Sequence, residues 1–170
     1  MATASRENTR REQKTDREQL MHAYLDAWNS HDPGAVAAFF APDGVYDDRG
    51  AGAVAEGSDA IRRHAADVQA AFSDLRFELV RAAHGEDFTA GEWTASMTHS
   101  GELDGLKATG RRVTSAGVDV ATIDGEGRIA HLVSYYDGAE IMRDLGLLPG
   151  RGSRLERALV RAASLLPRRS

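Results

Sequence analysis

Cysteine is absent from this 170-residue sequence. Its absence excludes disulfide bonds, thiolate metal sites and a cysteine nucleophile. No apolar run approaches the roughly 18 residues that a membrane-spanning helix requires. The segment 1–19 has no apolar core of the kind found in secretory signal peptides. We therefore expect a cytoplasmic protein without a membrane span.

Positive charge is scarce along the central part of the chain. The formal net charge is −5 at pH 7, and arginines concentrate in residues 151–170. A nucleic-acid-binding domain is expected to carry a basic stripe interleaved with aromatic side chains, and this pattern is missing, so no nucleic-acid partner is expected. The chain does contain 42% apolar residues, which is enough for the core of one ordinary domain.

The first part of the sequence has the apolar periodicity of helices. Thr15 and Glu18 have capping-box spacing, and an apolar helical face follows, made of Leu20, Met21, Tyr24, Leu25 and Trp28. Asp32-Pro33 predicts the start of a short second helix, which buries Val36, Phe39 and Phe40. Ser58-Asp59 predicts the cap of a third helix, whose inner face consists of Ile61, Ala65, Val68 and Phe72.

Other segments alternate with the period of two that is typical of strands. They are GVYDD (44–48), LRFELV (75–80), GEWTASMTHSGE (91–102), RRVTSAGVDVATI (111–123) and RIAHLVSYYD (128–137). Helices followed by strands predict an α+β fold, with the helices packed on one face of a curved antiparallel sheet. We expect a flexible tail at residues 1–14, the folded domain at 15–148 and a basic amphipathic helix within 149–170.

The C-terminal segment differs in kind from the domain. Ser153 and Glu156 form another capping box, and an apolar stripe with arginines opposite it follows, made of Leu155, Leu159, Ala162 and Leu166. This pattern favours a helix docked on the domain or on a dimer partner. A helix that lies on a membrane surface or against an anionic partner is the alternative.

Three polar side chains face the predicted interior. Tyr46 and Asp48 share one face of the GVYDD strand, so one of its two aspartates points inwards. Asp119 lies on a strand with no clearly polar face, and Tyr24 is set in the apolar face of the first helix. Burying a carboxylate costs free energy, so an aspartate that faces the interior is expected to have a structural or functional role.

Simpler interpretations of these residues remain open at this point. Asp48 could be a solvated residue at a strand end, and Asp119 could pair with an arginine such as Arg111. Tyr24 could be an ordinary core tyrosine whose hydroxyl finds a partner. No two histidines have a convincing metal-ligand spacing, so no metal site is predicted.

Several blocks resemble a known family. YLDAWNSHD (24–32) and VAAFFAPDGV (36–45) are similar to the opening of the SnoaL-like polyketide cyclases and their relatives, the ketosteroid isomerases. The later blocks HSGE (99–102), ATGR (108–111) and DGEGRI (124–129) are similar to the SnoaL-like pattern in particular. The resemblance covers roughly residues 15–148.

The resemblance implies a cone-shaped α+β barrel of the nuclear transport factor 2-like fold. A curved sheet wraps around the helices and encloses a deep apolar pocket. It also implies an acid–base reaction without a cofactor: Asp48 removes a proton next to a carbonyl, while Tyr24 and a protonated Asp119 donate hydrogen bonds to the enolate oxygen. The enolate then gives double-bond isomerisation or an aldol ring closure. A homodimer and a small apolar carbonyl substrate are further expectations.

Further residues are expected around this pocket. They are Trp28, Trp93, Met97, Leu132, Ser134 and Tyr136. His99 ends the Trp93–Met97 face and is a candidate second acid or base, although a structural histidine at the sheet edge is as good an explanation. His64 follows Ile61 by three residues on its helix and could touch the pocket mouth.

Two departures from the isomerase pattern keep other functions open. Arg49 follows Asp48 where the isomerases usually have proline, and the C-terminal arginine-rich helix has no counterpart. One alternative is an epoxide-opening enzyme that uses Asp48 and Asp119 with an arginine between them. The other is a binding or association domain without chemistry, which predicts that Tyr24, Asp48 and Asp119 do not converge.

Overall fold

The computed structural model describes residues 19–103 and 105–164. The predicted tail at 1–14 and the helix start at Thr15 lie outside these residues, as does the end of the C-terminal segment. The helices are α1 (19–29), α2 (Pro33–Ala37), α3 (Ser58–Ala71), α4 (Gly138–Asp144) and α5 (Arg154–Ser164). The strands are β1 (Phe40–Asp48), β2 (Ala53–Glu56), β3 (Arg76–His84), β4 (Phe88–Thr98), β5 (Arg112–Ile123) and β6 (Ile129–Tyr136).

The strands form one curved six-stranded sheet in the order β2-β1-β6-β5-β4-β3. The predicted α+β class is confirmed. The prediction of an entirely antiparallel sheet is wrong at one pair, because β1 and β6 run parallel. Parallel neighbours need a long connection, and here almost the whole domain lies between the two strands. β2, which was not predicted, pairs with β1 as a short antiparallel hairpin.

The apolar face predicted for the first helix forms the centre of the core. Met21 and Tyr24 are completely buried, and Leu25 and Trp28 are nearly so. The predicted face of β4 is also confirmed, because Trp93, Ala95 and Met97 are buried while the residues between them are more exposed. These two faces pack against each other within one hydrophobic cluster.

Two predicted helix starts had different outcomes. Asp32 caps α2 as expected, since its carboxylate accepts a hydrogen bond of 2.8 Å from the Gly34 N–H. Ser58 does not cap α3. The N-cap residue is Gly57, at φ +78°, and its N–H donates to the Gly44 carbonyl at 2.8 Å. A positive φ favours glycine, so the tight link between β2 and α3 shifts the cap by one residue. Phe40, expected in α2, is the first residue of β1.

A side chain on α1 secures the helix to the edge of the sheet. The Asn29 amide donates to the Phe77 carbonyl at 2.9 Å, and its carbonyl accepts from the Phe77 N–H at 2.7 Å. Asn29 thereby satisfies both backbone groups of one β3 residue, as a neighbouring strand would. This contact covers part of an otherwise open sheet edge.

The C-terminal helix forms but packs little. The Ser153 hydroxyl accepts from the Glu156 N–H at 3.0 Å, which confirms half of the capping box. No residue of α5 is buried, and Leu155, Leu159 and Val160 are all more than half exposed. The expected docking of this helix on its own domain is therefore not observed. Within the described residues, no helix is long and apolar enough to cross a membrane.

The connection that follows β4 is held against the end of α3. The N–H groups of Ser100 and Gly101 both donate to the Ala71 carbonyl, at 2.9 and 3.0 Å. A Cβ atom on Gly101 would lie 2.1 Å from the Ala70 carbonyl oxygen. Glycine is therefore required here by close backbone packing.

We predict that Gly101→Ala lowers the free energy of unfolding by about 1–3 kcal/mol, because the added methyl group overpacks a backbone contact. Urea denaturation measures the change. Gly125→Ala is the matched control, since its Cβ would meet no atom within 4 Å, and we expect a change within about 0.5 kcal/mol. Equal effects of the two substitutions would contradict the prediction.

Candidate active site

Three polar residues form a row across three neighbouring strands. Asp48 on β1 is level with Ser134 on β6, and Ser134 is level with Asp119 on β5. Strands lie about 4.8 Å apart, so the backbones of the two aspartates are separated by about 10 Å. All three side chains point to the concave face and are almost completely buried.

The row forms part of the wall of a cavity of about 240 Å³. Most of the surrounding wall is apolar or aromatic, with contributions from Leu25, Trp28, Tyr46, Val68, Phe72, Leu75, Phe77, Trp93, Ala95, Met97, Leu103, Tyr136, Ile141 and Met142. Small-molecule sites commonly combine such a lining with a few polar groups. The predicted pocket residues Trp28, Trp93, Met97, Ser134 and Tyr136 all lie on this wall.

Asp48 has different neighbours at its two oxygens. Its Oδ1 accepts a hydrogen bond of 2.9 Å from the Ala51 N–H, in the turn after β1. Its Oδ2 lies 3.5 Å from His64 Nε2 on α3. The Tyr136 hydroxyl is also beside this carboxyl group. Asp48 is therefore positioned by a backbone hydrogen bond and retains one oxygen for other partners.

Asp119 lies in a more apolar setting. The Trp93 indole N–H donates to its Oδ1 at 2.9 Å, and the Ser134 hydroxyl is beside it. Burial raises the pKa of Asp119 to about 6, although these two donors lower it and the nearby Asp48 raises it slightly. Asp119 thus changes its protonation state within two units of neutral pH, where a catalytic acid or base is most effective.

Two tyrosines line the cavity near these carboxyl groups. Burial raises the pKa values of both Tyr46 and Tyr136 above the ordinary range, and the charges of Asp48 and Asp119 raise them further. Both hydroxyls therefore keep their protons at any ordinary pH. They are available as hydrogen-bond donors.

The second aspartate of the GVYDD segment lies on the other face of β1. Asp47 forms an ion pair of 2.6 Å with Arg49, whose guanidinium is largely exposed. Arg49 therefore covers Asp47 and does not enter the cavity. Among the described residues, the cavity wall includes no arginine or lysine, and no three acidic, histidine or cysteine side chains are placed to hold a metal ion.

Three predicted site residues do not reach the cavity wall. Leu132 is fully buried beneath it, on the same face of β6 as Ser134. Tyr24 is also fully buried, between Phe39 and Phe40 at ring distances of 5.8 and 6.0 Å. Its hydroxyl has no hydrogen-bond partner within the part of the chain that the structure describes.

His99 is likewise buried behind the wall. Its Nδ1 accepts from the Thr109 N–H at 3.2 Å, and its ring packs against Phe72 at 5.5 Å. The Thr109 contact fixes its orientation on the connection between β4 and β5. This geometry supports the structural interpretation of His99 over a role in the cavity.

Glycine shapes the mouth of the cavity. A Cβ atom on Gly50 would lie 2.3 Å from the Tyr136 ring, and one on Gly138 would lie 2.0 Å from the Gly50 carbonyl oxygen. The turn after β1 and the start of α4 are therefore packed too closely for any side chain at these two positions. Strand alternation could have identified Tyr46 as a wall residue, but no local signal indicates the close packing at Gly50.

The architecture defines an α+β domain of the nuclear transport factor 2-like class, with a cavity inside its curved sheet. The profile of one family, described as SnoaL-like polyketide cyclase, matches residues 18–145. The chain belongs to the SnoaL-like polyketide cyclase family. No curated protein matches the sequence significantly.

Solved structures share this fold. AclR from Streptomyces galilaeus, provisionally described as a hydroxylase, is 24% identical, with a TM-score of 0.71 over 88% of this chain and 93% of that chain. TsrD from Streptomyces laurentii is 25% identical, with a TM-score of 0.69 over 79% and 97%. IdmH from Streptomyces antibioticus, provisionally described as a polyketide cyclase, is 22% identical, with a TM-score of 0.62 over 76% and 98%.

The raised pKa of Asp119 predicts a pH-dependent cost in stability. The unfolded chain releases this proton near the ordinary value of 3.8, whereas the folded chain holds it to about 6. Between these values the folded state binds more protons, so this group lowers the free energy of unfolding as pH rises. We predict that Asp119→Asn is more stable than the wild type by about 2–3 kcal/mol at pH 8, and that the difference shrinks towards pH 4.

Urea denaturation of both proteins at several pH values measures this difference. The effects of the other titrating groups cancel in the difference, because both proteins contain them. The asparagine keeps an oxygen for the Trp93 N–H. Asp47→Asn is the control, and we expect no gain in stability as pH rises, because Asp47 is paired with Arg49. A constant difference between Asp119→Asn and the wild type from pH 4 to pH 8 would show that Asp119 does not carry the cost.

Proposed function

We propose that this protein is a cofactor-independent acid–base enzyme that enolises a polyketide-like carbonyl compound. The enolate then undergoes an intramolecular aldol-type ring closure or a double-bond isomerisation. The observation that carries the proposal is the pair of buried carboxyl groups, Asp48 and Asp119, which face one apolar cavity from strands on either side of β6. Membership of the cyclase family supports the same class of reaction.

In this mechanism the two carboxyl groups have opposite roles. Asp48, as a carboxylate, takes a proton from the carbon next to the substrate carbonyl, and the C–H electron pair becomes the enolate. Asp119, in its protonated form, donates a hydrogen bond to the developing oxyanion. Such a donor typically contributes about 10²–10³ in rate, and a placed base about 10²–10⁴.

The tyrosine donor differs from the one that the resemblance implies. Tyr24 is outside the described cavity wall, whereas Tyr46 and Tyr136 line it. Burial raises the pKa of Tyr24, and the charges of Asp119 and Asp48 raise it further. We assign the supporting donor role to these two hydroxyls. Tyr24 then acts as a core residue packed beneath the site.

The charges of the wall indicate the substrate class. Asp48, Asp67 and Asp119 are acidic, and the described part of the wall offers no lysine or arginine to offset them. An anionic substrate would be repelled, so we propose an uncharged carbonyl compound. An apolar cavity of roughly 150 Å³ holds one benzene ring, so 240 Å³ has room for about two rings.

The epoxide-opening alternative has less support. It requires an arginine between the two aspartates, and Arg49 is directed away to Asp47. The alternative of a binding domain without chemistry predicts that Tyr24, Asp48 and Asp119 do not converge. The two aspartates face one cavity, whereas Tyr24 is not among its described wall residues. The experiment below distinguishes catalysis from binding alone.

The exchange of α-protons with solvent tests the proposed function without the natural substrate. β-Tetralone, a two-ring ketone with acidic α-protons, is incubated with the protein in D₂O, and exchange is followed by proton NMR. We expect Asp48→Asn to slow enzyme-catalysed exchange by at least 10²-fold. Asp47→Asn, next in the chain but on the opposite face, is the matched control and should stay within threefold of the wild type.

The pH dependence of the same exchange separates the roles of the two aspartates. If Asp119 acts as the acid, kcat/KM falls as pH rises through about 6, and this decrease is absent in Asp119→Asn. A rise through pH 6 would make Asp119 the base. Exchange by the wild type no faster than by Asp48→Asn and Asp119→Asn would exclude enolisation of this ketone and favour the binding domain.

We also propose that two copies of the chain associate through the outer face of the sheet. Val118 and Val120 on β5 are each 37% exposed, and Tyr135, level with Val118 on β6, is 51% exposed. These side chains form an apolar patch on the face opposite the cavity. Burial of such a patch is a common reason for homodimer formation.

We expect Val118→Lys to shift the protein towards the monomer in analytical ultracentrifugation, because a buried lysine would lose its hydration. Val80→Lys is the control, since Val80 is exposed on the edge strand β3, two strands from β5. A wild-type protein that sediments as a monomer at every concentration tested would contradict this proposal.

A further inference from the structure

The contact between His64 and Asp48 is the feature of the cavity that the proposed mechanism does not use. His64 Nε2 lies 3.5 Å from Asp48 Oδ2, which is slightly longer than a hydrogen bond. Asp48 Oδ1 is already bound to the Ala51 N–H. The oxygen that faces His64 is therefore the one without a backbone hydrogen bond.

His64 is also held in place by its ring. The imidazole packs against Tyr46 with ring centroids 4.9 Å apart, and the side chain is 17% exposed. Its Nε2 is buried without a hydrogen-bond partner in the described residues. Packing thus directs one ring nitrogen to Asp48 and leaves part of the side chain within reach of water.

His64 lines the cavity and is in part accessible to solvent. Asp67 lies three residues further along α3, on the same helical face, and also lines the cavity. The charged and titratable groups around His64 are then Tyr46 and Asp48 on β1, Asp67 on α3, Tyr136 on β6 and Asp119 on β5. His64 is the one basic side chain of the described wall, and the acidic side chains Asp48, Asp67 and Asp119 line the same cavity.

We propose that His64 relays the proton that Asp48 removes from the substrate to solvent. The proposal rests on the enolisation function stated above. When Asp48 has taken the proton from carbon, the Oδ2–H bond breaks and an Nε2–H bond forms on neutral His64. The resulting imidazolium releases the proton from Nδ1 to water. Asp48 is then again a carboxylate, and one proton has passed to solvent while the proton from carbon stays on Nε2. When the ring takes up a proton from water at Nδ1 and gives up the Nε2 proton to water, the proton from carbon is lost to solvent and the Nδ1–H tautomer with which the step began returns.

Without the relay, the proton on Asp48 loses the ring nitrogen that lies 3.5 Å from Oδ2 and returns to the enolate. Enolisation would continue, but exchange with solvent would become slow. In the β-tetralone assay in D₂O we therefore expect His64→Gln to exchange at least tenfold more slowly than the wild type. The dissociation constant for β-naphthol, a planar mimic of the enolate, should change less than threefold, because the cavity remains intact.

Chemical rescue distinguishes a relay from a structural role. His64→Ala leaves a space near the mouth of the cavity, and added imidazole should restore exchange at least fivefold. His131→Ala is the matched control, because His131 is exposed on β6 away from the row of polar residues. It should match the wild type with and without imidazole.

Several outcomes would overturn the proposal. Exchange by His64→Gln at the wild-type rate, with Asp48→Asn inactive, would exclude the relay and leave the enolisation function standing. Slow exchange by both His64 variants, without imidazole rescue and with β-naphthol binding lost, would assign His64 a structural role only. Exchange that none of the His64, Asp48 and Asp119 substitutions affects would exclude the proposed function and the relay together.

Discussion

Backbone pairing between the parallel strands β1 and β6 places Asp48 level with Ser134, and the antiparallel pairing of β6 with β5 places Ser134 level with Asp119. Because side chains alternate along a strand, a slip of one residue would turn Asp48 away from the cavity and bring Asp47 into it. β1 and β6 lie at opposite ends of the domain sequence. The row of polar residues therefore exists only when the whole sheet has formed, and damage far from the cavity can remove it.

The buried carboxyl groups of this row lower the stability of the folded state, and the rigid surroundings keep them in place. A carboxyl group in an apolar wall destabilises the folded state whenever it is ionised, and the raised pKa of Asp119 expresses this cost. The Trp93 indole and the Ser134 hydroxyl reduce it without removing it. Contacts elsewhere, such as the two hydrogen bonds between Asn29 and Phe77, hold the helix that lies beneath the cavity. Functional sites commonly combine local strain with a well-packed frame.

Much of this site could be predicted from local sequence. Alternation along β1 placed Tyr46 and Asp48 on one face, and alternation along β4 placed Trp93 and Met97 on another. Strand alternation did not predict how deeply a side chain is buried behind the cavity wall. Leu132 shares a face with Ser134 and Tyr136 but is covered by the core, and His99 continues the Trp93–Met97 face but lies behind the wall. Periodicity predicts which way a side chain points, not how far the cavity extends.

The remaining features depend on packing between distant segments. Helical spacing named His64 only as a residue that could touch the pocket mouth, and its 3.5 Å approach to Asp48 depends on how α3 lies against β1. The parallel β1–β6 pair and the short strand β2 have no local signal of their own. The resemblance to the cyclase family led to the prediction of a cavity, and the structure has Tyr46 and the predicted Tyr136, but not Tyr24, on its wall.

The glycines at the cavity mouth also restrict how this architecture can diversify. Gly50 is packed beneath the Tyr136 ring, and Gly138 is packed against the Gly50 carbonyl, so a side chain at Gly50 would displace the Tyr136 ring and one at Gly138 would displace the backbone. Met142 and Leu103, by contrast, line the cavity from α4 and from the connection after β4. Changes in ligand size during evolution or in engineering would therefore arise on that wall, while the glycine side of the entrance stays constant.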